Sequence, residues 1–438
     1  VIIRPAKRIR GRLTMPGDKS ISHRAAMIAA LAKGTSRISN FANSADCAAT
    51  LSCLKKLGVA IASDGNDLLV HGIAPGGLRE PGEPLDCANS GTTMRLLAGI
   101  LAGQDFKSTL TGDASLRSRP MQRIIEPLRM MGANVSADAG RAPLTIEGGN
   151  PLQAIRYELL VASAQVKSCI LLAGLNANGR TVVAEAFMTR DHTERMLEWF
   201  GVSASASIRA PEAGLESDVE GPARFGSRDV SVPGDISSAA YFLAAASLLP
   251  DSAIELSEVG VNPTRTAYLD VLRGFGFDVE ISETRNECNE PVGTIRATGL
   301  PAKRRSDSTT PNRLGGSLVP QLIDELPLLA VVGSQIQGGI EIRDAAELRA
   351  KESDRIAATA ANLGAMGADV EEFKDGLRVA GPVPLRGALI EPRGDHRIAM
   401  AFSVAGLIAQ GETEIKDAEC VAVSFPEFFE LLESVVER

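Results

Sequence analysis

Aromatic side chains are scarce in this 438-residue sequence, at 4% of the chain. Its cores must therefore be built from alanine, leucine, valine and isoleucine, which suits helices lying close against sheets. Histidine is scarcer still, with four residues between His23 and His396. The six cysteines form no CxxC pair, and no zinc-ligand spacing appears. We therefore expect reduced core thiols, no metal, no cofactor and a cytoplasmic protein. No run approaches the ~20 apolar residues of a membrane span, and no secretory pattern is visible. A basic excess is missing too. The formal net charge of −8 makes sequence-independent nucleic-acid binding a poor fit, since that needs a basic face to displace counterions. Gly17-Asp18-Lys19-Ser20 lacks the upstream glycine of a phosphate-binding P-loop.

What the sequence does hold is repetition. PGDKSISHRAAMIAALAKGTSRI, from Pro16, returns as PGDISSAAYFLAAASLLPDSAIEL from Pro233, half a chain later. Weaker copies begin near Asn89, Ser163, Asp324 and Asp395. After each copy comes a second helix, usually closed by a glycine that supplies a left-handed cap, and then hairpin-like strands, the first with a Gly65-Asn66 turn. Six copies of a strand–helix–strand–helix–strand–strand unit predict an α/β protein of two domains, with three units in each. We place one domain at 17–233 and a discontinuous one at 1–16 plus 234–438, with hinges near 17 and 233. The strand at Ile2–Arg4 is expected to complete the second domain.

Polar motifs gather at the predicted helix starts. Asp-Lys-Ser, Asn-Ser-Gly-Thr, Ser-Ala-Gln and Asp-Glu-Leu-Pro open first helices. Arg-Ser-Arg-Pro, Thr-Arg-Asp-His and Lys-Glu-Ser-Asp-Arg stand at or near second ones. Helix N-termini carry unsatisfied N–H groups and partial positive charge, so several together would hold phosphate or carboxylate. Lys19, Arg24, Arg95, Arg119, Lys167, Arg190, Lys351, Arg355 and Arg397 lie in or beside these starts. Taken singly, each motif also reads as an ordinary cap or ion-paired helix face. Capping alone does not call for so many cations, and the joint pattern predicts a basic cleft for small anionic substrates.

PGDKSISHR, NSGTTMR, RSRPM, ASAQVKS, TRDHTE, NPTR, IDELP, LRAKESDR, GDHRIAMAF and SFPEF, in that order, resemble the 5-enolpyruvylshikimate-3-phosphate synthases over nearly the whole chain. The resemblance implies two inside-out α/β domains, each of three βαβαββ units, that close over the substrates. It implies transfer of the enolpyruvyl group of phosphoenolpyruvate to the 5-hydroxyl of shikimate 3-phosphate, in the shikimate pathway, by addition and elimination through a tetrahedral intermediate without metal. It makes Asp324 the base and Glu352 and Lys19 proton donors or relays, with His396 assisting. A donating Glu352 would need a raised pKa. Lys19, Ser20, Arg24, Ser163, Ala164, Gln165, Arg190, Asp324 and Lys351 match the family's shikimate 3-phosphate contacts. Lys19, Gly91, Arg119, Gln165, Arg355 and Arg397 match its phosphoenolpyruvate contacts. Family members are commonly monomers.

Two positions bear on the inhibitor glyphosate. Many members carry a lysine before the Ser/Thr-Phe-Pro motif, where this chain has Val423, as in the tolerant branch. Tolerant members can carry alanine where this chain has Gly91. The signals conflict, and partial sensitivity is expected. Two other readings stay open from sequence: a UDP-N-acetylglucosamine enolpyruvyl transferase, whose usual cysteine is missing from Asp113–Pro120, and a non-catalytic anion-binding module.

Overall fold

The computed structural model describes residues 1–438 except 66, 75, 205, 209–214 and 300–311, with 206–208 as backbone only; Asn66 of the expected Gly-Asn turn thus lies outside the described residues. The chain divides into two compact units. One comprises Gly17–Pro233 with Asn286–Glu290, and the other Val1–Pro16, Gly234–Arg285 and Pro291–Arg438.

In the 17–233 unit the helices are α1 (Lys19–Leu31), α2 (Ala45–Lys56), α3 (Gly91–Ala102), α4 (Ala114–Ser118), α5 (Gln122–Met130), α6 (Ala164–Gly174) and α7 (His192–Trp199). Three four-stranded sheets accompany them. In the first, Lys33–Ser39 pairs parallel with Val230–Ser231 and antiparallel with Asp67–Ile73, which pairs antiparallel with Ala60–Asp64. The sheets centred on Ser108–Thr111 and Gly179–Glu185 repeat that scheme.

The other unit holds α8 (Ile236–Leu248), α9 (Ala267–Gly274), α10 (Val319–Leu322), α11 (Leu326–Gly333), α12 (Arg355–Ala365), α13 (His396–Ile408) and α14 (Phe428–Val435). Its sheets centre on Ala253–Gly260, Ile340–Ile342 and Thr413–Ile415, again with one parallel and one antiparallel neighbour each. The antiparallel neighbour of Thr413–Ile415 is Ile2–Ile3.

The first helix of each repeat lies inside its unit. Every residue of α8 is buried, as are Ile21–Leu31 of α1 and all of α3 except Thr92. A helix that is apolar all round has no solvent face to offer, and alanine-rich surfaces let helices approach closely. Gly99 of α3 marks the limit of that approach: a Cβ there would meet Cys169 O of α6 at 2.2 Å. The second helices close as expected, with Gly58 after α2 at φ +90°. Four of the aromatics, Tyr241, Phe242, Phe425 and Phe428, meet one another in edge-to-face and tilted contacts. No single helix among the described residues is long and apolar enough to cross a membrane.

Candidate active site

In the 17–233 unit the helix starts are capped as their sequences suggest. Asp18, Ser44 and Ser90 accept hydrogen bonds from Ile21 N, Cys47 N and Thr93 N. Ser163 departs from this, since its side chain makes no capping bond. Lys19 and Ser20 open α1 and are half-buried. Lys19 Nζ lies 2.8 Å from Asp46 Oδ2 at the start of α2, a partner that sequence reading missed because Asp46 looks like an ordinary first-turn acid. Arg24, 3% exposed, donates from Nε to Thr193 Oγ1 at 2.7 Å, from Nη1 to Ser20 O at 2.8 Å and from Nη2 to Ser168 Oγ at 2.8 Å. Burial lowers its pKa to about 10 against the favourable charge of Glu194, and Arg190 adds to the lowering. The guanidiniums of Arg24 and Arg190 thus stand near enough to repel, an arrangement suited to a multiply charged anion.

The remaining predicted groups of this unit cluster at the start of α3. Arg95 Nη1 donates to Gln165 Oε1 at 2.6 Å, and Gln165 Nε2 donates to Thr92 Oγ1 at 2.9 Å. Arg119 reaches Asn89 Oδ1 at 2.6 Å and Asn89 O at 3.2 Å. Gly91 sits between the two arginines: a Cβ there would meet Arg95 Nη1 at 2.7 Å and Arg119 Nη1 at 3.4 Å. Lys167 differs from the expectation of a cleft cation. It is 1% exposed and holds two glutamates beneath the surface.

His23 is fully buried, with Nδ1 2.7 Å from Thr50 Oγ1, and Thr50 continues to Thr93 at 2.6 Å. Burial, with Lys19 and Arg24 adding, pushes its pKa well below the usual histidine value. The imidazole therefore stays neutral in the folded chain where the unfolded chain takes up a proton. Stability from this group falls as pH drops below about 6.5, by up to about 1.4 kcal/mol per pH unit. Urea midpoints at pH 7.5 and 5.5 should show a smaller acid loss for His23→Asn than for wild type; parallel losses would refute this.

In the other unit, Arg355 is the first residue of α12 and Arg397 the second of α13. Arg355 is 1% exposed. Its Nε donates to Asp395 Oδ2 at 2.8 Å, Nη1 to Asp324 Oδ1 at 3.3 Å and Nη2 to Glu352 Oε2 at 2.5 Å. Arg397 Nε lies 3.5 Å from Asp324 Oδ1, and its Nη1 donates to Asp324 O at 3.1 Å. The Asp324 carboxylate is thus held between two guanidiniums. Their pKa values rise further despite burial, because the neighbouring carboxylates outweigh it. Lys351 is half-buried, 3.9 Å from Glu347 Oε2, and desolvation lowers its pKa from the usual lysine value. His396 is buried at the first residue of α13. Lys351–Arg355 is therefore not the exposed ion-paired face that its charge pattern alone allowed.

Behind Asp324 lies a second line of groups to which the sequence reading gave no role. Ser237 Oγ donates to Glu325 Oε1 at 2.5 Å and accepts from Arg265 Nη2 at 2.8 Å, and Glu325 Oε1 is 3.7 Å from Arg397 Nη1. The NPTR motif was the available signal for Arg265. Asp395 was legible only as a cap, which it also is, accepting from Arg397 N at 3.0 Å.

A family profile described as EPSP synthase (3-phosphoshikimate 1-carboxyvinyltransferase) matches residues 3–432. The chain belongs to the EPSP synthase family. It is 51% identical over 434 residues to the 3-phosphoshikimate 1-carboxyvinyltransferase of Salinibacter ruber, with 98% of each chain covered. It is 48% identical over 438 residues to that of Geobacter sp. strain M21, covering 100% of this chain and 99% of the relative. Among solved structures, EPSP synthase from Acinetobacter baumannii superposes with a TM-score of 0.84 at 40% identity, covering 99% of this chain and 97% of the other. The two inside-out α/β units described above are the enolpyruvyl transferase fold of this EPSP synthase family.

Proposed function

We propose that the chain transfers the enolpyruvyl group of phosphoenolpyruvate to the 5-hydroxyl of shikimate 3-phosphate and releases phosphate. The observation that carries this is the Asp324 carboxylate set between Arg355 and Arg397. A base beside two cations is what the reaction needs, since the acceptor must lose a proton next to a phosphate and a carboxylate. Arginine suits both anions because its planar fork binds either one bidentately.

In this scheme Asp324 takes the 5-hydroxyl proton and the oxygen bonds to C2 of phosphoenolpyruvate. A proton reaches the methylene carbon from Lys19 or Glu352, with His396 assisting, to give the tetrahedral intermediate. Loss of a proton from that methyl group and departure of phosphate from C2 restore the double bond. Lys19, Ser20, Arg24, Ser163, Ala164, Gln165, Arg190 and Lys351 hold shikimate 3-phosphate. Gly91, Arg119, Gln165, Arg355 and Arg397, with Lys19, hold phosphoenolpyruvate. Lys19 is paired with Asp46, and Arg355 with Asp395, Glu352 and Asp324, so at these two cations substrate anions would replace or reorient internal partners. The six free cysteines, four of them buried, support a reducing, cytoplasmic setting.

The test is phosphate release from the purified chain with both substrates, and its loss when either is withheld. No release from folded protein would overturn the proposal, and turnover of UDP-N-acetylglucosamine instead would favour the related transferase.

Glyphosate is a further probe. Val423 is half-buried in the turn Ala418–Val423 and offers no charge there. Gly91→Ala would press a methyl onto Arg95 Nη1, itself fixed by Gln165. Overpacking of this kind costs about 1–3 kcal/mol. The inhibition constant for glyphosate and KM for phosphoenolpyruvate should therefore both rise, by about tenfold. Equal inhibition constants for the two proteins would show that the position is not decisive.

A further inference from the structure

One turn inside the starts of α6 and α7 lies a buried polar knot that the scheme above does not use. Lys167 Nζ is 2.9 Å from Glu185 Oε1 and 2.9 Å from Glu194 Oε1, and all three side chains are 1–3% exposed. Glu185 Oε2 accepts from Thr189 Oγ1 at 2.6 Å, and Glu194 Oε1 accepts from Ser217 Oγ at 2.7 Å. Burial opposes the ammonium charge, but the two carboxylates outweigh it and raise the lysine pKa.

Such a cluster is a poor device for stability alone. Taking three charges out of water is costly, and well-packed apolar residues of the same volume often do as well or better. What the cluster fixes is geometry. Glu185 ends its strand, Thr189 sits in the following loop and Glu194 lies in the first turn of α7. The segment from 185 to 194 is thus pinned at three points to one lysine of α6, directly or through Glu185. Arg190 lies in the middle of that segment. His192, two residues on, is pinned as well, with Nδ1 2.7 Å from Glu290 Oε1.

We propose that Lys167, through Glu185 and Glu194, is a positioning residue that sets Arg190 for the phosphate-bearing acceptor substrate. The proposal rests on the functional reading above. Lys167 itself touches no substrate. Without it, two buried carboxylates face each other with no shared cation, and the segment between them must move.

The test compares wild type, Lys167→Met, Arg190→Ala and the double variant in steady-state phosphate release. Lys167→Met should raise KM for shikimate 3-phosphate tenfold or more, while kcat at saturation stays within about threefold and KM for phosphoenolpyruvate within about twofold. In the Arg190→Ala background the same change should add little, because its effect runs through Arg190. Should Lys167→Met fail to fold, judged by urea denaturation, Thr189→Val removes one pin while leaving the lysine and both glutamates in place. It should show the same selective rise. An unchanged KM for shikimate 3-phosphate in a folded variant, or additive effects in the double variant, would overturn the positioning role while leaving the reaction intact. A wild type that releases no phosphate from the two substrates would overturn both.

Discussion

Asp324→Asn is expected to lower kcat about a hundred- to ten-thousandfold, the usual range for removing a general base. The side chain is isosteric, so the packing between Arg355 and Arg397 should survive. The charge does not survive, and both guanidiniums lose part of their internal neutralisation. Binding of phosphoenolpyruvate should then be retained or tightened even as turnover collapses. Single-turnover rates and equilibrium binding would separate the two effects. A variant that kept its kcat would remove Asp324 from the role of base.

The second large effect is expected at Arg355. This side chain meets Asp395, Asp324 and Glu352 at once, and Asp395 has no exposure at all. Arg355→Met keeps much of the apolar stem but leaves the Asp395 charge buried beside little else than Ser353 Oγ, at 3.0 Å, and the Arg397 backbone. Removing one partner of a buried ion pair typically costs about 3–5 kcal/mol. Urea denaturation should show a loss of that size at neutral pH. The deficit should shrink as the solution is acidified and the stranded carboxylates take up protons. A loss below about 1 kcal/mol would mean that Asp395 finds another donor. Activity should fall with stability, because the same arginine is the proposed phosphoenolpyruvate contact.

Both predictions depend on groups that the sequence disclosed unequally. The six repeats were readable because each carries local signals: a polar helix start, an apolar helix, a glycine such as Gly58 that adopts φ +90°, then paired strands. Local signals depend on neighbours in the chain, and neighbours are what a sequence shows. Arg355 and Arg397 were readable as cations for the same reason, since they stand at helix starts, whereas the role of Asp324 came only through the family resemblance. The partners of such groups were not readable. Asp46 lies 27 residues from Lys19, and Arg265 meets Ser237 across 28. Only the folded backbone brings such pairs together. Lys167 was readable as a cation but not as a buried one, because its burial is decided by Glu185 and Glu194 on another strand and helix.

The two compact units also differ in when they can form. Residues 17–233 make up nearly all of one unit, while the other is assembled from segments on either side of it. Asp18 N donates to Pro233 O at 2.8 Å, and Asp235 N donates to Pro16 O at 2.9 Å. A ribosome that has released the first half of the chain has therefore released a unit able to collapse before the remainder exists. Its collapse draws Asp18 and Pro233 into hydrogen-bond contact and cuts the effective loop between Arg10 and its partner Ala253 from more than two hundred residues to roughly thirty. The strand partners of Ile2–Ile3 and Arg8–Thr14, namely Thr413–Ile415 and Ala253–Gly260, are made later and meet segments already waiting. Early completion of the inserted half thus lowers the loop-closure cost of pairing Arg8–Thr14 with Ala253–Gly260 by about 2 kcal/mol, and makes the order of synthesis part of the route to the native state.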